Sequence, residues 1–407
     1  MILTKKRKGS AIVLVVLAVV ILSTMGIGLL KLSQDSRIFA IRNTQGIKAR
    51  CAADAGLAKA VFEMNEKLQT KPWDDSILPK ASGQALPNTA ATFGYEVTLG
   101  DDIGDGIYTI ESTGIYVQAT KKTYATIDLV GIFDHAILTR EMLTMKAGTL
   151  IDGYNSSDAG DTDVELKIGT ISILPDQLIL NSGIVVDGDV FVGVDGIVDV
   201  VIKDLGADTG MRTSLTEEPF CPVISPPALS NKGKIDVKGT TETMGPSDSG
   251  KYSELKVADK GKDNPGIVEI DGGEVVLHIT GDIDMGTRCE IKIKPDSSLI
   301  IYVDGDVQAG NSDGFNNETC IPSSLKIYGN AAGSQRFDIK AKSNVFGALY
   351  APQADIILRA QGDVYGAVTA NSFEMKSGNN FYYDEALRNV DLDDEGVRFV
   401  IKRWREE

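Results

Sequence analysis

Side chains suited to catalysis or metal binding are sparse in this sequence. Its only histidines are His135 and His278, and neither has carboxylates or cysteines around it at ligand spacing. A histidine triad or metal site would need both to converge from distant segments, so structural roles are expected. We therefore predict no catalytic residue, no metal site and no cofactor, and expect a protein that is not an enzyme.

Two segments come close to ligand-binding motifs without completing them. Residues 245–251 read GPSDSGK, similar to a phosphate-binding loop, but Tyr252 stands where Ser or Thr would bind Mg²⁺. An acidic cluster could bind calcium, although the full EF-hand loop pattern is absent. Its members are Asp158, Asp161, Asp163 and Glu165. A polar loop and a solvated turn are the expected structures.

The cysteines leave two alternatives open. None of the four forms a CxxC pair, which argues against a zinc site. In an oxidising compartment Cys289 and Cys320 could form a disulfide, and the alternative is a pair of buried thiols.

Length and charge bound the organisation of the chain. Its 407 residues allow two or three folding units. The formal net charge of −16 opposes phosphate backbones, so no nucleic-acid partner is expected. The 42 glycines and 6% aromatic residues suit many short turns and predict a β-rich body.

The N-terminal segment predicts a retained membrane anchor. Residues 9–30 carry no charge, and as a helix they would span about 33 Å, enough to cross a lipid bilayer. The run is longer than that of a secretory signal and lacks a small-x-small cleavage site after it. Because residues 5–8 are all basic, the positive-inside rule places residues 1–9 in the cytoplasm and the body outside the bacterial inner membrane.

The helix is predicted to continue beyond the membrane as one element over residues 10–72. Apolar or small residues recur at helical spacing up to Leu68, and the residue before Pro72 is disfavoured in a helix. Residues 49–60 are rich in small side chains that let another surface approach closely.

This N-terminal region resembles the PilX-type minor pilins of type IV pilus assembly and the related minor pseudopilins of type II secretion. The resemblance implies cleavage by prepilin peptidase between Gly9 and Ser10, followed by methylation. It also implies contacts with other pilins or pseudopilins through the helix and with the inner-membrane assembly platform. The residues that match the family's alanine-glycine motif, with Asp54 where Glu is usual, are Ala52, Ala53, Asp54, Ala55, Gly56 and Leu57.

One position departs from the major pilins. They carry Glu at the fifth mature residue, where this chain has Leu14. Since a buried amine without a carboxylate partner is costly along a filament wall, we predict a subunit that primes or tips a filament.

The rest of the chain predicts two kinds of β-structure. Alternating residues between 93 and 129 indicate a small antiparallel region within residues 73–134, packed on the distal half of the helix. Over residues 135–384, Gly-Asp pairs follow short strands at Gly188, Gly281, Gly305 and Gly362, with repeats of 24 and 19 residues. Such repeats without intervening helices predict a parallel β-helix with glycine at its corners.

The C-terminal part resembles an uncharacterised β-helix domain that often follows PilX-type N-termini. The resemblance rests on residues 346–356 (FGALYAPQADI), 363–368 (DVYGAV) and 382–387 (YYDEAL), and on Trp404. Residues 385–407 form a predicted C-terminal strand and tail, and that strand is expected to cap or dock on the β-helix.

The predicted fold class is α+β, with a long pilin-like helix, a small antiparallel region and a parallel β-helix. The leading hypothesis is a minor pilin with a structural, priming or tip-adhesive role through its extracytoplasmic β-helix. Two alternatives remain: an uncleaved membrane-anchored structural β-helix protein, and a surface polysaccharide-active enzyme.

Overall fold

The computed structural model describes residues 10–100, 107–158, 164–310, 314–376 and 378–407. Its longest element is helix α1, Ser10–Lys67, whose 58 residues span about 87 Å. The helix ends five residues before Pro72, where its end was predicted, because the residues after Lys67 form a tighter turn. Gln69 N donates to the Glu66 carbonyl and Thr70 N to the Lys67 carbonyl, which is three-residue spacing.

Most of the remaining described residues form strands. A second short helix, α2, is Val198–Val201, and 3₁₀ turns occupy Pro246–Asp248, Pro322–Ser324 and Glu385–Arg388. The strands are β1 (Lys80–Ala85), β2 (Thr92–Leu99), β3 (Tyr108–Tyr116), β4 (Ala119–Val130), β5 (Ile137–Thr139), β6 (Leu143–Met145), β7 (Leu150–Tyr154), β8 (Lys167–Thr170), β9 (Leu178–Leu180), β10 (Val185–Val186), β11 (Asp189–Val192), β12 (Ile202–Asp204), β13 (Asp208–Thr209), β14 (Arg212–Ser214), β15 (Asn231–Lys238), β16 (Thr241–Met244), β17 (Gly250–Ala258), β18 (Ile267–Ile270), β19 (Glu274–Ile279), β20 (Ile283–Met285), β21 (Glu290–Ile293), β22 (Ser298–Val303), β23 (Val307–Gln308), β24 (Gly314–Asn317), β25 (Leu325–Gly329), β26 (Gln335–Ala341), β27 (Val345–Ala360), β28 (Val364–Met375), β29 (Phe381–Asp384) and β30 (Arg398–Glu406).

The chain divides into two compact units. The helix-sheet unit holds residues up to 129 together with residues 398–407, and the stack unit holds residues 130–397. The stack unit is therefore an insertion between two strands that belong to the sheet of the other unit.

The sheet of the helix-sheet unit has the order β1-β2-β3-β4-β30. Strands β1 to β4 pair in antiparallel fashion, which confirms the predicted antiparallel region. Alternate residues of β3, including Tyr108 and Ile110, are buried, as expected for a strand with one face on a core. Strand β1 lies before the alternating residues 93–129 from which the sequence predicts strands.

The final strand does not lie where the sequence predicts it. Instead of capping the parallel strands, β30 extends the antiparallel sheet beside β4. Lys122 and Glu407 donate backbone hydrogen bonds to each other, the exchange expected of an antiparallel pair. Lys402 and Asp128 add an ion pair at 3.6 Å. The open edge of β4 is thus covered by a strand from the far end of the sequence.

The stack unit is built from parallel strands, with one 21-stranded sheet and a four-stranded sheet of order β16-β18-β21-β24. The register confirms two of the sequence repeats. Ile279 pairs with Val303 at the 24-residue offset, and Val345 pairs with Val364 at the 19-residue offset. The offset is not constant along the stack, because in the next layer Val303 pairs with Gly329, 26 residues on.

The parallel strands are not stacked in chain order. Strand β5 lies between β8 and β28, and β7 lies between β10 and β29. The first strand of the unit, β5, thus lies in the interior of the stack, and the following strands add layers outward as far as β14. The chain then crosses to the opposite end at β15 and winds back to β29. The crossing segment, residues 215–230, is held by Tyr350, whose hydroxyl donates to the Pro222 carbonyl at 2.7 Å.

Gly-Asp corners connect successive layers of the stack. None of the four corner glycines has a positive φ, so backbone conformation does not require glycine there. The close approach of the adjacent layer does, because a Cβ on Gly188 or Gly281 would overlap a carbonyl oxygen of that layer. The aspartate after each glycine accepts a backbone N–H one layer on. Asp282 accepts from Asp306, Asp306 accepts from Arg336, and both distances are 2.8 Å.

Asn344 makes the same contact with the N–H of Asp363, and Asp363 makes it with Asn380, each at 2.9 Å. These side chains satisfy turn amides that the strand ladders leave unpaired. Between the corners, alternate Val, Ile and Leu side chains point inward and form one continuous core.

Candidate functional site

Helix α1 has two halves with different surroundings. Along residues 12–47 most large apolar side chains are exposed, with Ile12 at 73% and Leu30 at 67%. By length and composition, residues 12–67 form a helix that could cross a membrane. From Ala49 onward the helix is buried along one face against β2 and β3. The buried positions lie on one helical face and are Ala49, Ala52, Ala53, Gly56, Leu57, Ala60 and Met64, with Leu68 directly after the helix.

The predicted alanine-glycine motif lies at this contact. Ala52, Ala53, Gly56 and Leu57 are buried, whereas Asp54 and Ala55 are half-buried. Small residues occur on both sides, because a Cβ on Gly114 of β3 would overlap the Ala49 carbonyl oxygen. The backbones of helix and strand therefore approach as closely as glycine and alanine permit.

Polar contacts fix the register of the motif on the sheet. The buried Ser112 hydroxyl of β3 donates to the Ala53 carbonyl at 2.7 Å. The Thr123 hydroxyl of β4 donates to the Asp54 carboxylate at 3.3 Å. Asp54 thus has a partner on the sheet, and Arg50 lies 3.9 Å away on its helical face.

Strand β30 is attached to the helix at two points. Near the motif, Arg50 pairs with Glu406 at 3.2 Å and lies 5.6 Å from the Trp404 ring centroid. Further along, Asn65 accepts the Phe399 N–H at 2.8 Å and donates to its carbonyl at 3.3 Å. The second contact satisfies both backbone groups of Phe399.

Phe399 belongs to an aromatic cluster that closes the distal end of the unit. Its ring centroid lies 5.2 Å from that of Tyr108, edge to face, and 5.7 Å from that of Trp73. The Tyr108 hydroxyl donates to Asp75 at 2.5 Å, and the Trp73 indole N–H donates to the same oxygen at 2.7 Å. Sequence reasoning missed this cluster, because Phe399 lies 291 residues beyond Tyr108 in the chain.

A tyrosine also connects the sheet to the helix. The Tyr95 hydroxyl donates to Glu63 at 2.7 Å, and Lys59 pairs with the same carboxylate at 3.3 Å. Burial and the Glu63 carboxylate together raise the pKa of Tyr95, so it remains a hydrogen-bond donor at physiological pH.

The predicted processing site is only partly within the described residues. Gly9 and the basic residues before it lie outside them, and Ser10 is the first residue of α1. Cleavage between Gly9 and Ser10 stays a prediction.

The structure does not bring Cys289 and Cys320 together. Both are free thiols; Cys289 is buried and Cys320 is exposed. Cys289 precedes β21 and Cys320 follows β24, and these strands run parallel, so the two cysteines lie at opposite ends of the pair. A four-residue strand spans about 13 Å, whereas a disulfide needs Cα atoms within about 7 Å.

The two histidines have separate structural contacts. The His278 ring nitrogen lies 3.0 and 3.2 Å from the two carboxylate oxygens of Asp304. The His135 ring lies 4.8 Å from that of Phe191, and burial lowers the pKa of His135 to about 4. Among the described residues no group of three or more His, Cys, Asp or Glu side chains could hold a metal ion.

The two incomplete motifs have different outcomes. The GPSDSGK segment forms a 3₁₀ turn followed by β17, so the helix N-terminus that binds phosphate in such loops is missing there. Asp161 and Asp163 of the acidic cluster lie outside the described residues. Of the remainder, Glu165 pairs with Lys167 and Arg388, and the Lys167 hydrogen bond lowers the pKa of Glu165.

Comparisons with known proteins cover parts of this architecture. Residues 228–390 match a family described as a domain of unknown function (DUF7305). This range includes three of the four features on which the C-terminal resemblance rests. No curated protein matches the chain.

Among solved structures, the chain matches the competence-associated pilin ComZ from Thermus thermophilus at 11% identity. The match covers 89% of this chain and 98% of that one, with a TM-score of 0.23. A TM-score this low does not establish a common fold.

Proposed function

We propose that the protein is a membrane-anchored, minor-pilin-like subunit of a type IV pilus or type II secretion-like system, related to the PilX type. The observation that carries the proposal is the division of α1. Its first part exposes a continuous apolar surface, and its second part packs through the alanine-glycine motif onto an antiparallel sheet. An isolated protein gains nothing from an exposed apolar rod, whereas a bilayer and neighbouring pilin helices would cover it.

In this proposal the parallel strands form a β-helix that projects outside the membrane as an adhesive or spacer module. The 19- and 24-residue registers and the Gly-Asp corners support that geometry. The module has no catalytic role in the proposal. The separate contacts of His135 and His278 support this part of it.

The proposal is tested by expressing the full chain with and without a prepilin peptidase and measuring its intact mass. We expect the chain to lose residues 1–9, and its mass to fall accordingly, only in cells that contain the peptidase. Ser10 would then be the methylated N-terminus. A Gly9→Leu variant should stay uncleaved. The cleaved protein should co-purify with pilins through its helix.

A full-length chain in peptidase-positive cells would overturn the pilin assignment and favour an uncleaved, membrane-anchored structural protein. Ser10, which is atypical at the first mature position of pilins, is the residue that favours this second candidate.

A further inference from the structure

The outer face of the antiparallel sheet carries a groove that the assembly role does not use. It has a volume of about 600 Å³ and is lined chiefly by Thr109, Tyr124, Thr126, Arg403, Trp404 and Arg405. Tyr124 and Thr126 alternate with Ala125 and Ile127, which are buried, so these two side chains point away from the buried face of β4. Every residue that lines it belongs to the helix-sheet unit.

Two arginines in the groove lack ion-pair partners among the described residues, and the negative group beside them is the Glu407 carboxylate, which accepts from the Tyr124 hydroxyl at 3.3 Å. Other cations of the same sheet form ion pairs: Lys80 with Glu96, Lys122 with Glu111 and Lys402 with Asp128. Within the part of the chain that the structure describes, Arg403 and Arg405 form none. The Arg405 guanidinium lies 4.6 Å from the Tyr124 ring centroid, which orients its donors.

Charge is distributed unevenly between the two units. Residues 130–397 contain 22 Lys and Arg against 43 Asp and Glu, a formal charge of −21. The remaining residues, which include those of the groove, contain 19 Lys and Arg against 14 Asp and Glu. The two guanidiniums without ion pairs, beside a Trp404 side chain that is 48% exposed, thus lie in the net-positive part of the chain. Guanidinium forks match carboxylates and other planar oxyanions with paired hydrogen bonds.

The lining favours a carboxylated sugar over a nucleic acid. Thr109 and Thr126 supply hydroxyls that can pair with sugar hydroxyls. Single-stranded nucleic acids need open aromatic faces and a continuous cationic track. Here Tyr124 and Trp404 each already have a guanidinium over one face, and the track consists of two residues.

We propose that the groove between β3, β4 and β30 binds an acidic glycan, with Arg403 and Arg405 holding uronate carboxylates and the threonines contacting ring hydroxyls. This site is distinct from the proposed filament contacts, because none of the residues that line it belongs to α1.

The test is a binding titration of the full chain in detergent micelles with oligogalacturonate. The matched ligand is the same oligomer with its carboxylates methyl-esterified. The test variant is R403Q/R405Q and the matched control is K80Q/K402Q, which removes two positive charges from the same sheet. We expect at least tenfold weaker binding for the test variant, a change below twofold for the control, and little binding of the ester.

Four outcomes would overturn the proposal. These are no saturable binding of oligogalacturonate, equal losses in both variants, equal binding of the ester, and tighter binding of a single-stranded oligonucleotide. An unchanged tryptophan fluorescence spectrum and melting temperature in R403Q/R405Q establish that a loss of binding is not a loss of fold. Cleavage by prepilin peptidase, measured separately, should be the same in all of these variants.

Discussion

At the scale of single residues, Gly114 decides how closely the helix can approach the sheet. Its missing side chain leaves room for the Ala49 carbonyl and the Ala53 amide of α1. We expect Gly114→Ala to lower the free energy of unfolding by about 2–3 kcal/mol, because the added methyl must push two backbones apart. Both tryptophans, Trp73 and Trp404, lie in the helix-sheet unit, so a urea titration followed by tryptophan fluorescence measures this unit alone.

The matched control is Gly46→Ala in the exposed part of the same helix. An added Cβ there meets nothing within 4 Å, and the change should stabilise the helix by up to about 1 kcal/mol. If Gly114→Ala is equally harmless, the close contact between Gly114 and Ala49 does not exist in solution.

His135 is the residue that should make the stack unit sensitive to pH. Burial beside Phe191 lowers its pKa to about 4, against about 6.5 in an unfolded chain. Between these values the unfolded chain binds a proton that the folded chain does not. Stability therefore rises with pH through this window and is lost as the pH falls.

We expect a loss of about 1–2 kcal/mol between pH 7 and pH 5, since the ring is only half-buried. His135→Gln should show a smaller loss over the same range. Thermal melts by far-UV circular dichroism at the two pH values measure the difference, and identical slopes for both proteins would show that another group is responsible.

At the scale of elements, Phe399 is the most deeply buried side chain of strand β30. Phe399 is 2% exposed and packs between Tyr108 and Trp73. Phe399→Ala should lower the free energy of unfolding of this unit by about 3–4 kcal/mol. Ile401→Ala, on the same strand but at a side chain that is 45% exposed, should cost less than about 1 kcal/mol. Equal effects in the tryptophan-monitored titration would mean that β30 is not docked as described.

The hydrogen bonds of the corner aspartates also contribute to stability at the scale of elements, and their contribution can be measured. Asp363 accepts the Asn380 N–H, so Asp363→Ala leaves that half-buried amide unpaired and should cost about 1–2 kcal/mol. Asp363→Asn should cost less than about 0.5 kcal/mol, because Asn344 already makes the same bond in the adjacent layer. Asp363 lies in the stack unit, which contains no tryptophan. Its unfolding is therefore followed as the transition in circular dichroism that is not accompanied by a change in tryptophan fluorescence. An asparagine variant as unstable as the alanine variant would contradict the hydrogen-bond explanation.

At the scale of the whole molecule, the order of the layers determines which segments are protected. Strands β5 and β28 are neighbours in the interior, whereas β14 and β15 each pair with a single strand among the described residues. We expect amides of residues 137–145 and 364–375 to exchange hydrogen slowest and those of residues 212–214 and 231–238 fastest. Hydrogen-exchange mass spectrometry of the full chain measures this. A stack in chain order would give the opposite result, with residues 137–145 and 364–375 at its two ends.

Much of the architecture could be predicted locally. The uncharged run of residues 9–30, the small residues of the motif, and the alternation in β2 to β4 each reflect a period or composition within a short window. The 24-residue spacing between Gly281 and Gly305 likewise predicted the pairing of β19 with β22, which the register confirms. These features are decided by neighbours in sequence, so the sequence alone determined them.

Three features depended on the tertiary structure. The partner of β30, the pairing of β5 with β28, and the separation of Cys289 from Cys320 all depend on which distant segments meet. The alternation of apolar and polar residues in a strand shows which of its faces is buried. It does not show which neighbouring strand it pairs with, because the backbone hydrogen bonds are the same for every partner. Burial of the whole core selects among these pairings, and that selection is made only when the complete chain folds.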